Sequence, residues 1–274
     1  VSDVVSSARE IAGAFVAARR EARALSGFPG APPADLDAGY KVQDEAIALW
    51  QDEVVGWKIG RVPAHQVAHL GAERIAGPIF KQNLWRAEPN KSVAFPVYED
   101  GFAAVEAEYV FRIGKDAPVK KTEWTAAEVA DLIGAMHVGV ETAGSPLATI
   151  NDLGATVIVS DFGNNHGLIL GAEVPDWRAK LDKGLTCETF IEGQSVGSGG
   201  ASAASDGPLD ALAFLAGHLA RRGKPLRAGQ YVTTGAVTGV HDIRIGQGSR
   251  VSFNGSGDIL CSAVKAVANG RGFA

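Results

Sequence analysis

Between Val105 and Gly114 the chain reads VEAEYVFRIG, with Val105, Ala107, Tyr109, Phe111 and Ile113 on one parity and Glu106, Glu108 and Val110 on the other. A two-residue alternation predicts a β-strand with one face in a core. Met136, Val138 and Val140 alternate in the same way with His137, Gly139 and Glu141, which puts Glu141 on the polar parity of a second strand. A third short strand, VVGWKIG, is apolar, flanked by Gly56 and Gly60, and interrupted by Lys58. Val4, Val5, Ala8, Ile11, Ala12, Phe15 and Val16 fall at helical spacing and predict a helix ending near Leu25. Tyr40, Ala46, Ile47 and Trp50 mark another over residues 36–54. Thr125 and Glu128 form a capping box ahead of Val129, Leu132, Ile133 and Met136, which predict a helix running straight into the Glu141 strand. Pro208 and Gly223 frame a last helix that turns Leu209, Leu212, Leu215 and Leu219 inward. Residues 155–160, ATVIVS, read as a further apolar strand before a Gly-rich loop.

The 34 glycines gather in GSGGASAASDG and in VTTGAVTGVHDIRIGQGSRVSFNGSGDI, where β-branched runs alternate with turn residues. That pattern predicts a strongly bent, hairpin-rich sheet in the second half. The helices punctuate the sheet instead of alternating with strands, and no Gly-x-Gly-x-x-Gly follows the first strands, which argues against a doubly wound nucleotide fold. The expected class is therefore α+β, with a helical portion over residues 1–85 packed on a β-body over 86–274 as one globular unit. At 274 residues, 46% apolar and 21% charged, the chain is long and apolar enough for a large core. A net charge of −5 with dispersed Lys and Arg argues against nucleic acid or an anionic membrane surface as partner. Cys187 and Cys261 have no metal or disulfide spacing, and no apolar run reaches the length of a membrane span, so a cytoplasmic protein is expected.

Glu106 and Glu108 point the same way, roughly 6–7 Å apart along their strand. A solvated outer face is the usual fate of such a pair. Glu141, on the polar face of another strand, makes a third candidate carboxylate, and three of them converging in a buried place repel unless a cation neutralises them. All-oxygen ligation without cysteine suits a hard ion, Mg2+ first, Mn2+ or calcium next. Three protein oxygens on magnesium leave about three octahedral positions for water or a bidentate substrate.

GWKIG, the Glu-x-Glu strand ending in Gly114, the later lone Glu141, SDFGNNHGLILG and LRAGQYVTTGAVTG occur in the order seen in the 2-keto-4-pentenoate hydratase and 4-oxalocrotonate decarboxylase family, and AGYKVQDEAI is similar to that family's second helix. The resemblance spans essentially the whole chain. It implies a mixed, strongly bent β-roll of the fumarylacetoacetate hydrolase type with an N-terminal helical portion, a homo-oligomer, and Mg2+ or Mn2+ held by Glu106, Glu108 and Glu141. It also implies a hydratase or decarboxylase acting on a 2-hydroxy-2,4-dienoate or 2-oxo-enoate from aromatic-ring cleavage. The chain departs from the family pattern in three places. Lys81, Gln82 and Asn83 stand where an acidic residue is common; Arg61, Val62 and Pro63 replace a small hydroxyl pair; and DFGNNHG differs from the usual Asn- and Ser-rich version.

Within this frame Lys58 is the candidate cation for the substrate carboxylate or a proton shuttle, since a desolvated lysine beside a metal is expected to have a lowered pKa. Asp161 and Asn164 are candidates to orient that lysine or a water, although both residue types also favour plain turns. His166 is a candidate acid or base, Thr234 a hydroxyl donor to the substrate carboxylate, and Arg61 and Lys81 readers of a distal carboxylate. His65 and His69 have zinc-like spacing without a third ligand, and a solvated helix face accounts for them. The alternatives to a lyase are an acylpyruvate-type C–C bond hydrolase and a catalytically degenerate subunit that binds a 2-oxo acid.

Overall fold

The structure is a computed structural model and describes residues 7–181, 185–200 and 207–268. Helix α1 (Ala8–Arg20) opens with a capping box between Ser7 and Glu10 and buries Ile11, Ala12, Phe15, Val16, Ala18 and Arg19. It packs on α2 (Leu36–Trp50), capped by Asp35 and closed by Gln51 in the left-handed region, φ +60°. Strands β1 (Val54–Arg61) and β2 (Arg74–Phe80) pair antiparallel around α3 (Ala64–Leu70), and β3 (Leu84–Arg86) and β4 (Ser92–Val97) follow. The long strand β5 (Phe102–Ile113) pairs antiparallel with β6 (Ile133–Ser145), which follows the single-turn helix α4 (Ala126–Ala130). Then come α5 (Ala155–Ser160), β7 (Asn165–Glu173), α6 (Trp177–Lys180), β8 (Thr186–Ile191), β9 (Gln194–Gly200) and α7 (Pro208–Arg221). Four strands close the fold: β10 (Tyr231–Thr233), β11 (Val240–Asp242), β12 (Gly248–Phe253) and β13 (Gly257–Lys265).

The strands form two sheets. The larger has the order β2-β1-β10-β5-β6-β7-β3, with β11 on the edge of β5 beyond β10, and it curls into a half-barrel. The smaller has the order β4-β13-β12-β8-β9. The main core lies between them and α7: Val105, Ala107, Tyr109, Phe111 and Ile113 meet Leu212, Leu215, Leu219, Val251 and Phe253. The alternation in β5 thus turns its apolar parity to this core, and the mixed, strongly bent α+β architecture is as expected. A second cluster joins α1 and α2 to the sheet end through Phe15, Val42, Phe80, Ile150 and Phe162. Because β1, β2 and β3 lie in the larger sheet, that sheet runs across the boundary drawn between residues 1–85 and 86–274.

Several local expectations are corrected. The ATVIVS segment is the helix α5, not a strand: its β-branched residues are overridden by packing on α2, where Gly39 meets the Thr156 carbonyl so closely that a Cβ would lie 2.8 Å from the oxygen. The helix expected to reach Met136 stops at Ala130, and Ile133 already belongs to β6. Its apolar residues satisfied helical and strand periods at once. Helix α1 ends at Arg20 rather than near Leu25, α2 ends at Trp50 rather than residue 54, and Val4 and Val5 lie outside the described residues. No described helix is long and apolar enough to cross a membrane.

One close approach fixes the site. A Cβ on Gly77 of β2 would lie 2.0 Å from the Phe162 carbonyl oxygen, so the loop after α5 rests directly on the strand backbone. Gly77→Ala is expected to lower unfolding stability by about 1–3 kcal/mol through overpacking, read as a fall in the urea midpoint without a change of slope.

Candidate active site

Glu106 and Glu141 stand directly opposite each other across β5 and β6, and Glu108 opposes Gly139 two residues along. The three side chains are buried, and one oxygen from each lies within 4.8 Å of the others. Lys58 Nζ is 2.9 Å from Glu141 Oε1. The Thr233 hydroxyl donates to Glu141 Oε2 at 2.9 Å, and the N–H groups of Thr234 and Gly235 donate to Glu108 Oε2 at 3.0 and 2.8 Å. Thr233 is in place because β10 lies between β1 and β5, where it pairs with Lys58 on one side and Val110 on the other.

Three carboxylates against one ammonium leave two negative charges in excess if all ionise. Burial, helped by Glu141 and opposed by Lys58, pushes the Glu106 carboxyl up to about 7. Burial and then Glu141 and Glu106 raise Glu108, against the Gly235 N–H and Lys58. For Lys58 burial acts downward, but Glu141 and Glu106 outweigh it and raise the pKa. With no cation on the carboxylates its anionic neighbours therefore outweigh desolvation, whereas the lowering expected for this lysine concerns the site with a metal beside it. Glu108 Oε1 is buried without a hydrogen-bond partner among the described residues. An orphaned buried carboxylate oxygen beside two more carboxylates fits a hard divalent cation, and the set has no soft ligand.

The cluster forms one wall of a cleft of about 690 Å³ bordered by Lys58, Arg61, Arg74, Glu106, Tyr109, Asn164 and Thr234. Asn164 reaches it from a loop in which Phe162, Gly163 and Asn164 all have left-handed φ, +55°, +67° and +62°. Such residues cost about 1–3 kcal/mol each when not glycine, so the surroundings must hold the loop. The Asn164 Nδ2 donates to Asn151 Oδ1 at 3.2 Å, while its own Oδ1 is buried with no hydrogen-bond partner among the described residues.

The holding is done by Arg19, a residue not anticipated. Its Nε and Nη2 donate to Asp161 Oδ1 and Oδ2 at 2.6 and 2.9 Å, and Nη2 also reaches the Gly144 carbonyl at 2.9 Å. The Ser145 hydroxyl completes the carboxylate at 2.6 Å. Asp161 is therefore the anchor of a buried ion pair and does not line the cleft, which corrects its assignment as a catalytic group. His166 belongs to the same cluster, with Nδ1 3.3 Å from Arg19 Nη1 and its ring edge-on to Tyr98. Burial, then the Arg19 charge, pushes its pKa to about 3, so it is neutral at pH 7 and away from the cleft lining. Lys81 also leaves the set: it is exposed and pairs with Glu53 at 2.8 Å. Arg61 and Asn164 do line the cleft, and so does Thr234, whose hydroxyl donates to the Tyr109 carbonyl at 2.9 Å and whose backbone N–H donates to Glu108. His65 and His69 are exposed on α3, and Cys187 and Cys261 are unpaired and buried.

Set beside proteins of known structure, the molecule superposes on the 4-oxalocrotonate decarboxylase from Pseudomonas putida G7 complexed with magnesium and adipate, with a TM-score of 0.76 at 20% identity over 94% of this chain and 97% of that one. It superposes less closely on the fumarylpyruvate hydrolase from Pseudomonas aeruginosa in complex with Mn2+ and pyruvate, with a TM-score of 0.56 at 15% identity over 77% and 89%. The chain thus shares the fold of these two proteins. By sequence the chain is similar to proteins named 2-keto-4-pentenoate hydratase. It is 29% identical over 241 residues, 85% of each chain, to the TodF product hydratase of Pseudomonas putida strain F1. It is 27% identical over 244 residues to a 2-keto-4-pentenoate hydratase of Paraburkholderia xenovorans, covering 83% of this chain and 84% of that one. No family model matches the chain.

Two outcomes follow from the geometry. Magnesium at 100 times its Kd is expected to add about 2.7 kcal/mol of stability, seen as a raised Tm, and Glu108→Gln is expected to abolish most of that rise. Arg19→Ala is expected to lower stability by about 3–5 kcal/mol in urea titrations, because it strands the Asp161 carboxylate in the interior.

Proposed function

We propose that the protein is a divalent-metal-dependent lyase that hydrates or decarboxylates a 2-hydroxy-2,4-dienoate or its 2-oxo-enoate tautomer. The observation that carries this reading is the buried trio Glu106, Glu108 and Glu141, with Lys58 on its rim and a cleft opening from it. Mg2+ or Mn2+ held by those three carboxylates would supply the Lewis acidity that stabilises enolate character in a 2-oxo acid. Lys58 holds a proton at Nζ where a substrate carboxylate can pair with it. The N–H groups of Thr234 and Gly235 fix Glu108, and the Thr233 hydroxyl fixes Glu141, so the carboxylates keep their orientation as charge shifts in the substrate. Ile59, Ile75, Ile158 and Val237 give the hydrocarbon part of a diene an apolar wall that limits water. The buried Asn164 Oδ1 is available to accept from a substrate hydroxyl or an attacking water. Residence in the cytoplasm, a role in the breakdown of aromatic-ring cleavage products and assembly as a homo-oligomer are parts of the same proposal; the first is supported by two unpaired cysteines.

A hydrolase of the acylpyruvate type would use a His and Glu pair on an early segment to activate water beside the substrate ketone, and the early segment carries no His-x-x-Glu, which weighs against it. Retention of Lys58 with the full carboxylate trio argues against a degenerate binding subunit.

The test is to mix the magnesium-loaded protein with 2-hydroxypenta-2,4-dienoate, follow the dienol absorbance, and weigh the product. Gain of one water, or carbon dioxide from 4-oxalocrotonate, is the expected result. Pyruvate release from an acylpyruvate would replace the proposal with a hydrolase, and metal binding without any turnover would leave a binder. Glu106→Gln is expected to lower kcat by about 10²–10³ while the far-ultraviolet circular dichroism stays unchanged.

A further inference from the structure

Lys58 is paired with Thr233 of β10 on one side and with Gly77 of β2 on the other. Thr233 brings a side chain to the site, whereas Gly77 brings none, so the sheet supports the lysine stem from one side only. The space on the other side is taken by the left-handed loop after α5. Its Phe162 carbonyl rests on the Gly77 backbone, and a Cβ on Gly163 would lie 3.0 Å from Gly77 Cα and 3.3 Å from Lys58 Cδ. A lysine carries its charge on a flexible four-carbon stem, so the ammonium goes where the stem is held. For Lys58 the second wall of that hold is a turn, and the turn is tied to the strand of Glu141. Arg19 grips Asp161, immediately before Phe162, with Nε and Nη2, and the same Nη2 donates to the Gly144 carbonyl on β6. Ser145, next along β6, donates to Asp161 Oδ2. Contacts thus form a closed circuit: from Glu141 along β6 to Gly144 and Ser145, through Arg19 and Asp161 to Gly163, across to Lys58, and back to Glu141 at 2.9 Å. Arg19 and Asp161 are only 4% and 1% exposed, and a close-packed interior transmits displacement, so the geometry of the pair is passed on to the turn.

We propose that Arg19 and Asp161 are positioning residues for Lys58: the ion pair sets the place of the 162–164 turn and, through Gly163, aims the ammonium at Glu141 and at the carboxylate of a bound 2-oxo acid. Neither residue is among those bordering the cleft, so both act through the turn and not on the substrate. This rests on the lyase reading above and adds to it a part for α1 in the chemistry.

The paired variant Arg19→Met with Asp161→Asn tests it, because removing both charges of a buried pair avoids the stranded carboxylate that Arg19→Ala leaves. On the magnesium-loaded protein with 2-hydroxypenta-2,4-dienoate, kcat/KM is expected to fall about 10²-fold, the cost of a misplacement near 1 Å. In a Lys58→Met background, already slowed, the same pair of substitutions is expected to cost less than about threefold, because it acts through the lysine that is gone. An undiminished loss in that background overturns the proposal. Removal of the exposed Arg9–Glu45 pair, which joins the same helix to α2, is expected to leave kcat/KM unchanged. A second measurement needs no substrate. The buried Lys58 ammonium is followed by its slowly exchanging proton–nitrogen resonance, assigned by its absence in Lys58→Met. That resonance is expected to shift or vanish in the paired variant; a resonance at its native position overturns the proposal. Should the paired variant fail to fold, Ser145→Ala, which takes one hydroxyl from Asp161, is read in the same way with a smaller shift expected. A moved resonance in a protein that turns over no dienoate supports the positioning role, and it is then the lyase reading that fails.

Discussion

Mutual repulsion of three buried carboxylates is the constraint around which the molecule is arranged. Glu106, Glu108 and Glu141 lie on paired central strands, where their backs are committed to the core and their heads are buried at the wall of the cleft. Lys58, the Thr233 hydroxyl and two backbone N–H groups offset part of the charge. The part they leave is what attracts a cation, and the strand register keeps the carboxylates from moving apart to relieve it. A sheet is a suitable frame because its backbone ladder resists separation of opposed residues far more than a loop would.

Much of this was legible in the sequence because strands write their faces in alternation. Glu106, Glu108 and Glu141 could be assigned to polar parities from their neighbours, and Lys58 stood out as a charge in an apolar run. What could not be read was register and distance. Asp161 follows α5 and His166 opens β7 in a stretch rich in site-like residue types, yet the partner of both is Arg19, 142 residues away from Asp161. A signal for Arg19 was present: Ala12, Phe15, Val16 and Arg19 follow the i, i+3, i+4, i+7 spacing of a buried stripe, so a charge fell where α1 is apolar. Residues 155–160 illustrate the reverse error, in which β-branched content suggested a strand and packing against Gly39 made a helix.

The N-terminal helices are part of the site's support. Arg19 links α1 to the end of β6 through Gly144 and to the left-handed loop through Asp161, and a cation–π contact 5.0 Å from the Phe162 ring centroid adds to the hold. The same loop is pressed from the other side by Gly77. Rigidity in the wall bearing Asn164 therefore comes from two distant segments converging on a turn with little conformational preference of its own.

That convergence has a consequence for how the chain acquires its shape. A turn whose geometry is imposed from residues 19 and 77 cannot mature when residues 162–164 leave the ribosome; it must wait until α1 and β2 have docked, which places the cleft wall among the late, high-contact-order events of folding. Until then α1 carries an arginine within its apolar stripe whose carboxylate has not yet been delivered, so the buried face of that helix is completed only once residue 161 is in place.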